Sequence, residues 1–169
     1  MNIDLFGGTG FIGSNFKRLY PETLIHGRED NAPISDIVLY MISTTDNYNV
    51  FSDIYKDVNV NLIKLLKVLE NCKDKNIIFN FVSSWFVYGD TDLPANEESY
   101  CRPKGFYSIT KKCAEDLLIS YCKTFDIKYR IFRLANVYGP GDKGVSSKKN
   151  ALGFLINKIK NNENIDLYF

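Results

Sequence analysis

A doubly wound parallel α/β sheet is the fold class this sequence predicts, and three observations predict it. The chain opens on an apolar run, Ile3, Leu5 and Phe6, that stops at the cluster Gly7-Gly8-Thr9-Gly10-Phe11-Ile12-Gly13 and resumes as the amphipathic stretch Ile12, Phe16, Leu19. That order reads as strand, tight turn and helix start. Short apolar runs then alternate with stretches of helical spacing down the chain, the pattern of successive βαβ units. Finally, Asp36 to Ile42 is a continuous apolar run of strand length bounded by polar residues, as in a strand covered on both faces in the middle of a parallel sheet.

The 169 residues have the length of one domain, 1–169, with room for a core. With 45% hydrophobic residues, 14% aromatic residues and a formal charge of +1, the chain is neither disordered nor an electrostatic binder of nucleic acid, so a small ligand is expected. Cys72, Cys101, Cys113 and Cys122 fall in no paired metal spacing and His26 is the single histidine. Free thiols in a reducing compartment and no metal are therefore expected. No charged-then-apolar leader and no apolar run near about eighteen residues is visible, which points to a cytoplasmic protein that does not span a membrane.

Taken in order, the glycine spacing Gly7-x-x-Gly10-x-x-Gly13 lets the backbone turn, approach a phosphate and pack helix against strand. A diphosphate would sit on the N–H groups of that helix start, around Phe11 and Ile12. Thr23 to His26 is a second short strand ending at Gly27 and Arg28. In dinucleotide folds the end of this strand meets the adenosine ribose, so Arg28 points to a 2′-phosphate and hence to NADP, unless Arg28, Glu29 and Asp30 are an ordinary solvated loop. Glu29 to Ser35 is too short to hold a helix and a further strand, so one outer strand is expected to be missing and Thr23 to His26 to lie at the sheet edge. Ile42 and Ser43 stand where the middle strand ends, on the ligand side of such sheets.

Val58, Leu62, Leu65, Leu66 and Leu69 recur at helical spacing in a core-facing helix, whose first turn is interrupted by Asn59 and Asn61. Either asparagine is a solvated residue or faces a cofactor. Asn76 to Ser83 is the next strand and ends on Ser83-Ser84, followed by an aromatic, turn-rich loop from Trp85 to Tyr100. Ile109, Cys113, Leu117, Tyr121 and Phe125 repeat every four residues, which marks a long helix with one apolar stripe, and Tyr107 and Lys111 lie off that stripe. Lys128 to Val137 is a further strand, Asp142 to Asn150 a polar loop, and Leu152, Leu155, Ile156 and Ile159 define one more helix.

Tyr107 and Lys111 project from one helix face a turn apart. A phenol near its ordinary pKa of ~10 is a poor base at neutral pH, and an ammonium beside it favours the phenolate. Ser84, on a neighbouring strand end, could share the same substrate oxygen.

These features come in one order: the glycine loop, Asn59-Val60, Val82-Ser83-Ser84 with Val87-Tyr88-Gly89, Tyr107-x-x-x-Lys111, and Arg133-Leu134-Ala135-Asn136-Val137-Tyr138-Gly139-Pro140. In that order the chain resembles the extended short-chain dehydrogenase/reductase family over nearly its whole length. The resemblance implies a Rossmann fold binding NADP or NAD, and nucleotide-sugar epimerases, dehydratases and reductases as the nearest activities. By matching positions it implies that Tyr107 and Lys111 are the catalytic pair, with Lys111 also holding the nicotinamide ribose. Ser84 is the hydroxyl residue, and Ser84, Trp85 and Asn136 face the substrate, Asn136 at its diphosphate. Gly7, Gly10, Phe11, Ile12, Gly13, Arg28, Ile42, Ser43, Asn59 and Lys111 are the expected cofactor residues.

Two departures shape the expectation. Where the 4,6-dehydratases of the family carry an Asp-Glu pair, Trp85-Phe86 stand here, which argues against dehydration. The sequence also stops at Leu167-Tyr168-Phe169, where such proteins usually begin their substrate-binding part, so the chain alone is expected to bind cofactor and turn over poorly. The reading is a nicotinamide-dependent nucleotide-sugar 4-epimerase or 4-ketoreductase. The alternative is a non-catalytic nucleotide-binding or regulatory protein that keeps the fold. The expected partner is a nucleotide-sugar substrate, with neither nucleic acid nor membrane, and a homodimer is the other association this reading admits.

Overall fold

The computed structural model describes residues 2–45, 47–139, 141–142 and 151–165. The chain forms two compact units, Met1–Ala135 and Asn136–Phe169.

The first unit is built on five parallel strands, β1 (Asp4–Phe6), β2 (Leu24–His26), β3 (Ile37–Tyr40), β4 (Ile78–Ser84) and β5 (Lys128–Leu134), in the order β2-β1-β3-β4-β5. Helix α1 (Phe11–Leu19) joins β1 to β2. The crossover from β3 to β4 runs through a 3-10 turn (Asn49–Phe51), α2 (Lys56–Val58), a π-helical turn (Asn59–Ile63) and α3 (Lys64–Glu70), and α4 (Phe106–Thr124) joins β4 to β5. The strands at Thr23 to His26, Asp36 to Ile42, Asn76 to Ser83 and Lys128 to Val137 all form, shortened or shifted by one to three residues at their ends.

As expected, no strand pairs outside β2 among the described residues, and residues 29–35 return to β3 without helix or strand. This connection lays backbone N–H groups against β1, where they need an acceptor. Asp4, fully buried in β1, supplies it: one carboxylate oxygen accepts from the N–H groups of Ile34 and Ser35, each at 2.6 Å. The other accepts from the Ser35 hydroxyl at 3.3 Å and lies 2.9 Å from His26 Nε2. A carboxylate is tolerated at that depth because charge-assisted hydrogen bonds replace its water.

One face of the sheet carries a row of rings. His26 stacks on Phe6 with centroids 4.3 Å apart, Phe6 lies 6.1 Å from Tyr40, and Tyr40 lies 6.0 Å from Phe81. The register explains the row, because Phe6 is opposite both His26 and Tyr40, and Tyr40 is opposite Phe81. Leu65, Val68 and Leu69 from α3 and Ala114, Leu118 and Cys122 from α4 close over it. Each large apolar side chain buried this way stabilises the fold by about 1.5–3 kcal/mol.

Helix α4 departs from the sequence expectation. Its buried face is Tyr107, Lys111, Ala114, Leu118 and Cys122, with Ser108, Thr110 and Glu115 beside it. The apolar stripe is instead turned outward: Ile109 and Cys113 are exposed, Leu117 and Tyr121 are half-buried, and Phe125 is at the margin of exposure. Polar residues took the inner face because strand ends and loops bond them there. Helix α1 likewise buries only Gly13, leaving Leu19 exposed.

The second unit contains α5 (Ala151–Lys160), with Leu152, Ile156 and Ile159 exposed. Apart from Asp142, the expected polar loop up to Asn150 lies outside the described residues. No helix among the described residues is long and apolar enough to cross a membrane.

Candidate active site

The glycine cluster forms the expected turn. Gly7 has φ +93° and a Cβ there would meet the Met41 carbonyl carbon at 2.9 Å, while a Cβ on Gly13 would lie 2.3 Å from the Gly7 oxygen. The loop thus packs against the backbone of Met41 and Ile42, bringing the first turn of α1 beside the end of β3. Gly10 is the N-cap of α1 and offers no side chain, and no acidic residue occupies the first turn. The opening N–H groups, Phe11, Ile12 and Gly13, are those a helix cannot bond internally, and they sit at the positive end of its dipole.

Beyond β3 the site is organised by Asn61, which is 1% exposed. Its Oδ1 accepts from the Ser43 hydroxyl at 3.1 Å and the Thr44 N–H at 2.9 Å. Its Nδ2 donates to the hydroxyl oxygens of Thr44 and Thr110, each at 2.9 Å, and Thr110 in turn donates to the Tyr107 carbonyl at 2.9 Å. Every donor and both lone pairs of the amide are used, so one side chain ties the end of β3 to α4. Asn61 lies in the π-helical turn, whereas Asn59, in the same turn, is exposed. Expanded turns of this kind recur at functional sites because they re-aim side chains within a helix.

Tyr107, Ser84 and Ser43 are brought together. Burial pushes the Tyr107 phenol above its ordinary value, hydrogen bonds with the Ser84 and Ser43 side chains oppose that, and the Asp57 carboxylate adds to it. Asp57 is itself buried, with Oδ1 accepting from Asn49 Nδ2 at 3.0 Å. Lys111 is 1% exposed; its Nζ donates to the Val82 carbonyl at 2.8 Å and lies 4.2 Å from the centre of the Phe81 ring. Burial pulls it down to about 7, with Glu115 resisting. The groups that draw the phenol down are thus two serine hydroxyls, while burial holds Lys111 well below its ordinary value.

The remaining candidates divide by position. Ser84 also accepts from the Phe86 N–H at 3.3 Å, starting the 3-10 turn Trp85–Val87. Trp85 stacks on Phe86 at 4.7 Å, and Phe86 meets Tyr107 edge-on at 6.1 Å, so this aromatic pair walls the phenol. Arg28 is exposed on the turn after β2, and Asn136 belongs to the second unit and is exposed there.

Sequence reasoning missed Thr110, Asp57 and Glu115. Glu115 is fully buried and paired with Arg133 through two bonds of 3.1 and 2.8 Å, and Arg133 lies over Tyr88 at 4.8 Å. The available signal was Glu115 itself, four residues after Lys111 and therefore on the same helix face.

Comparison with known proteins follows the same lines. The profile described as the NAD dependent epimerase/dehydratase family matches residues 34–168. The chain is 27% identical over 180 residues to dTDP-glucose 4,6-dehydratase of Mycolicibacterium smegmatis, covering 83% of this chain and 54% of that protein. It superposes at a TM-score of 0.80, with 20% identity, on RMD from Pseudomonas aeruginosa complexed with NADPH, covering 98% of this chain and 64% of that one. On Thermus thermophilus UDP-glucose 4-epimerase complexed with NAD the TM-score is 0.79 at 22% identity, with 99% and 65% covered. The chain spans between about half and two thirds of the length of these proteins. At 20 and 22% identity the two structures speak for the fold alone.

Proposed function

Because the chain belongs to the NAD dependent epimerase/dehydratase family, we propose that it is the nicotinamide-binding part of a nucleotide-sugar 4-epimerase or 4-ketoreductase. The observation that carries this reading is Tyr107, held on the inner face of α4 by Ser84 and Ser43 with Lys111 one turn on. A sugar hydroxyl that becomes a carbonyl must lose its proton, and a positioned phenol can take that proton and return it. Ser84 orients the sugar oxygen. Lys111, one turn on from the phenol, would favour the phenolate when protonated and would hold the nicotinamide ribose.

The glycine loop fits a dinucleotide, because the first turn of α1 presents N–H groups with no capping side chain and no acid beside them. Phe11, Ile12 and Gly13 would hold the diphosphate, Ile42, Ser43 and Asn59 would line the cleft, and exposed Arg28 favours NADP over NAD. Bound there, the cofactor supplies the hydride acceptor and donor. Dehydration would need a further acid and base next to Ser84, and Trp85 and Phe86, which fill those positions, have no group that gives up or takes a proton near neutral pH.

Titration with NADPH and with NADH tests the reading, followed through the fluorescence of Trp85, the single tryptophan. Saturable quenching is the expected result, with epimerisation or reduction of a nucleotide sugar slow or absent in this chain alone. Failure of both cofactors to bind overturns it.

A further inference from the structure

The turn after β2 is bonded to α3 through one side chain. Lys64, the first residue of α3, donates from Nζ to the backbone carbonyl of Arg28, to that of Asp30 at 2.8 Å and to Asn31 Oδ1 at 2.7 Å. An ammonium has three donors, and here all three are engaged. The turn is also closed on itself: Asp30 Oδ2 accepts from the Gly27 N–H at 2.7 Å, and Asn31 Nδ2 donates to the Glu29 carbonyl at 3.1 Å. Lys64 lies within electrostatic reach of Glu29 and Asp30 as well.

We propose that Lys64 is a positioning residue for the adenosine-ribose end of the cofactor, acting by fixing the backbone of residues 28–31 so that the Arg28 guanidinium points at the 2′ position. This rests on the dinucleotide reading above. The place is right, because β2 is the neighbour of the glycine loop: a Cβ on Gly8 would meet the Ile25 side chain at 2.8 Å. The route must be indirect, since an ammonium whose three N–H groups are committed to the protein has none left for a phosphate. Lys64 also offsets two carboxylates that stand beside Arg28 and would repel a 2′-phosphate.

Calorimetric titration with adenosine 2′,5′-bisphosphate and with 5′-AMP separates positioning from bulk stability, because the two ligands differ in the 2′-phosphate alone. Lys64→Met is expected to weaken the bisphosphate roughly tenfold and 5′-AMP less than about threefold, with Lys64→Arg restoring most of the loss. Asn31→Ala, which removes one of the three acceptors, should give a smaller loss of the same selectivity, and it carries the test where Lys64→Met does not fold. Equal losses for both ligands, or none, overturn the positioning role while leaving the dinucleotide reading intact. A wild-type chain to which the 2′-phosphate adds no affinity also overturns it. Should the wild-type chain bind neither adenosine ligand nor NADPH, the reading itself fails and takes this proposal with it.

Discussion

At the β3 and β4 ends of the sheet, Asn61, Ser43, Thr44 and Thr110 hold one another through buried hydrogen bonds, whereas at the β2 edge Arg28, Glu29 and Asp30 stand exposed on a turn fastened from outside by Lys64. The two regions belong to one sheet and are joined by one row of rings from His26 to Phe81. They differ in what a substitution leaves behind. Inside, removing one group strands its partners away from water, at about 1–3 kcal/mol for each donor or acceptor left unmade. At the edge water replaces whatever is lost, and changes there usually stay within about 0.5 kcal/mol. The chemistry is therefore expected to sit where the fold is hard to alter, and the choice of cofactor where it is easy.

The largest effect should come from Tyr107→Phe. It removes one oxygen and almost no packing, so turnover of a nucleotide sugar should fall by roughly 10²–10⁴ while NADPH affinity stays within about threefold. Steady-state rates beside a cofactor titration check this. Activity surviving in the variant would end the distinction between the two regions.

Lys111 carries the next effect, and its sign follows from its burial. In the fold it is pulled from 10.5 down to about 7, so between those values the unfolded chain binds the proton that the folded chain has lost. The cost of burying the charge is present in full below about 7 and is relieved as pH rises towards 10.5. Stability should thus climb across that window by roughly 3–5 kcal/mol from this residue, and Lys111→Met should flatten the climb. Urea unfolding at a series of pH values measures it. A parallel slope in wild type and variant would show that Lys111 is better solvated than its surroundings imply.

Asn61→Leu follows in size. The apolar replacement leaves the buried Thr44 N–H and hydroxyl without their partner and takes one bond each from Ser43 and Thr110, for an expected loss of about 2–4 kcal/mol by chemical denaturation. A loss below about 1 kcal/mol would mean that the amide is not the hub of this region.

The legible parts of the molecule were those written in local spacing. The glycine loop, the run at Asp36 to Ile42 and the Tyr107–Lys111 interval each depend on residues close in the chain. The missing outer strand followed from the length of one connection. The face of α4 was not legible, because periodicity ranks residues by apolarity, and here Lys111, Ser108 and Glu115 are inside with partners from Val82, Lys104 and Arg133. Asp4 interrupts an apolar strand with no local reason to be there; the N–H groups that justify it lie 30 and 31 residues away. Lys64 falls at a position that helical spacing leaves off the apolar face, and its acceptors stand 33 to 36 residues earlier. Long-range polar contacts leave no periodic trace, which is why the candidate residues could be picked out by spacing and their supports could not.

The smallest effect on the fold, and the one that sharpens the contrast most, belongs to Arg28→Glu. Arg28 is exposed, and its backbone carbonyl, not its guanidinium, is what Lys64 holds, so the turn should survive the exchange. Stability is expected to change by less than about 0.5 kcal/mol. The new carboxylate would repel a 2′-phosphate and accept hydrogen bonds from free ribose hydroxyls, which should move the ratio of NADPH to NADH dissociation constants by at least about tenfold towards NADH. Because Glu29 and Asp30 already stand on the same turn, a third acid adds to a field that Arg28 and Lys64 together had balanced. Paired cofactor titrations of wild type and variant, with urea unfolding of each, decide the matter. A shifted ratio at constant stability places cofactor choice at the β2 edge; an unchanged ratio moves it to another part of the cleft, and a large loss of stability would show that the edge is as tightly bound into the fold as the region around Asn61.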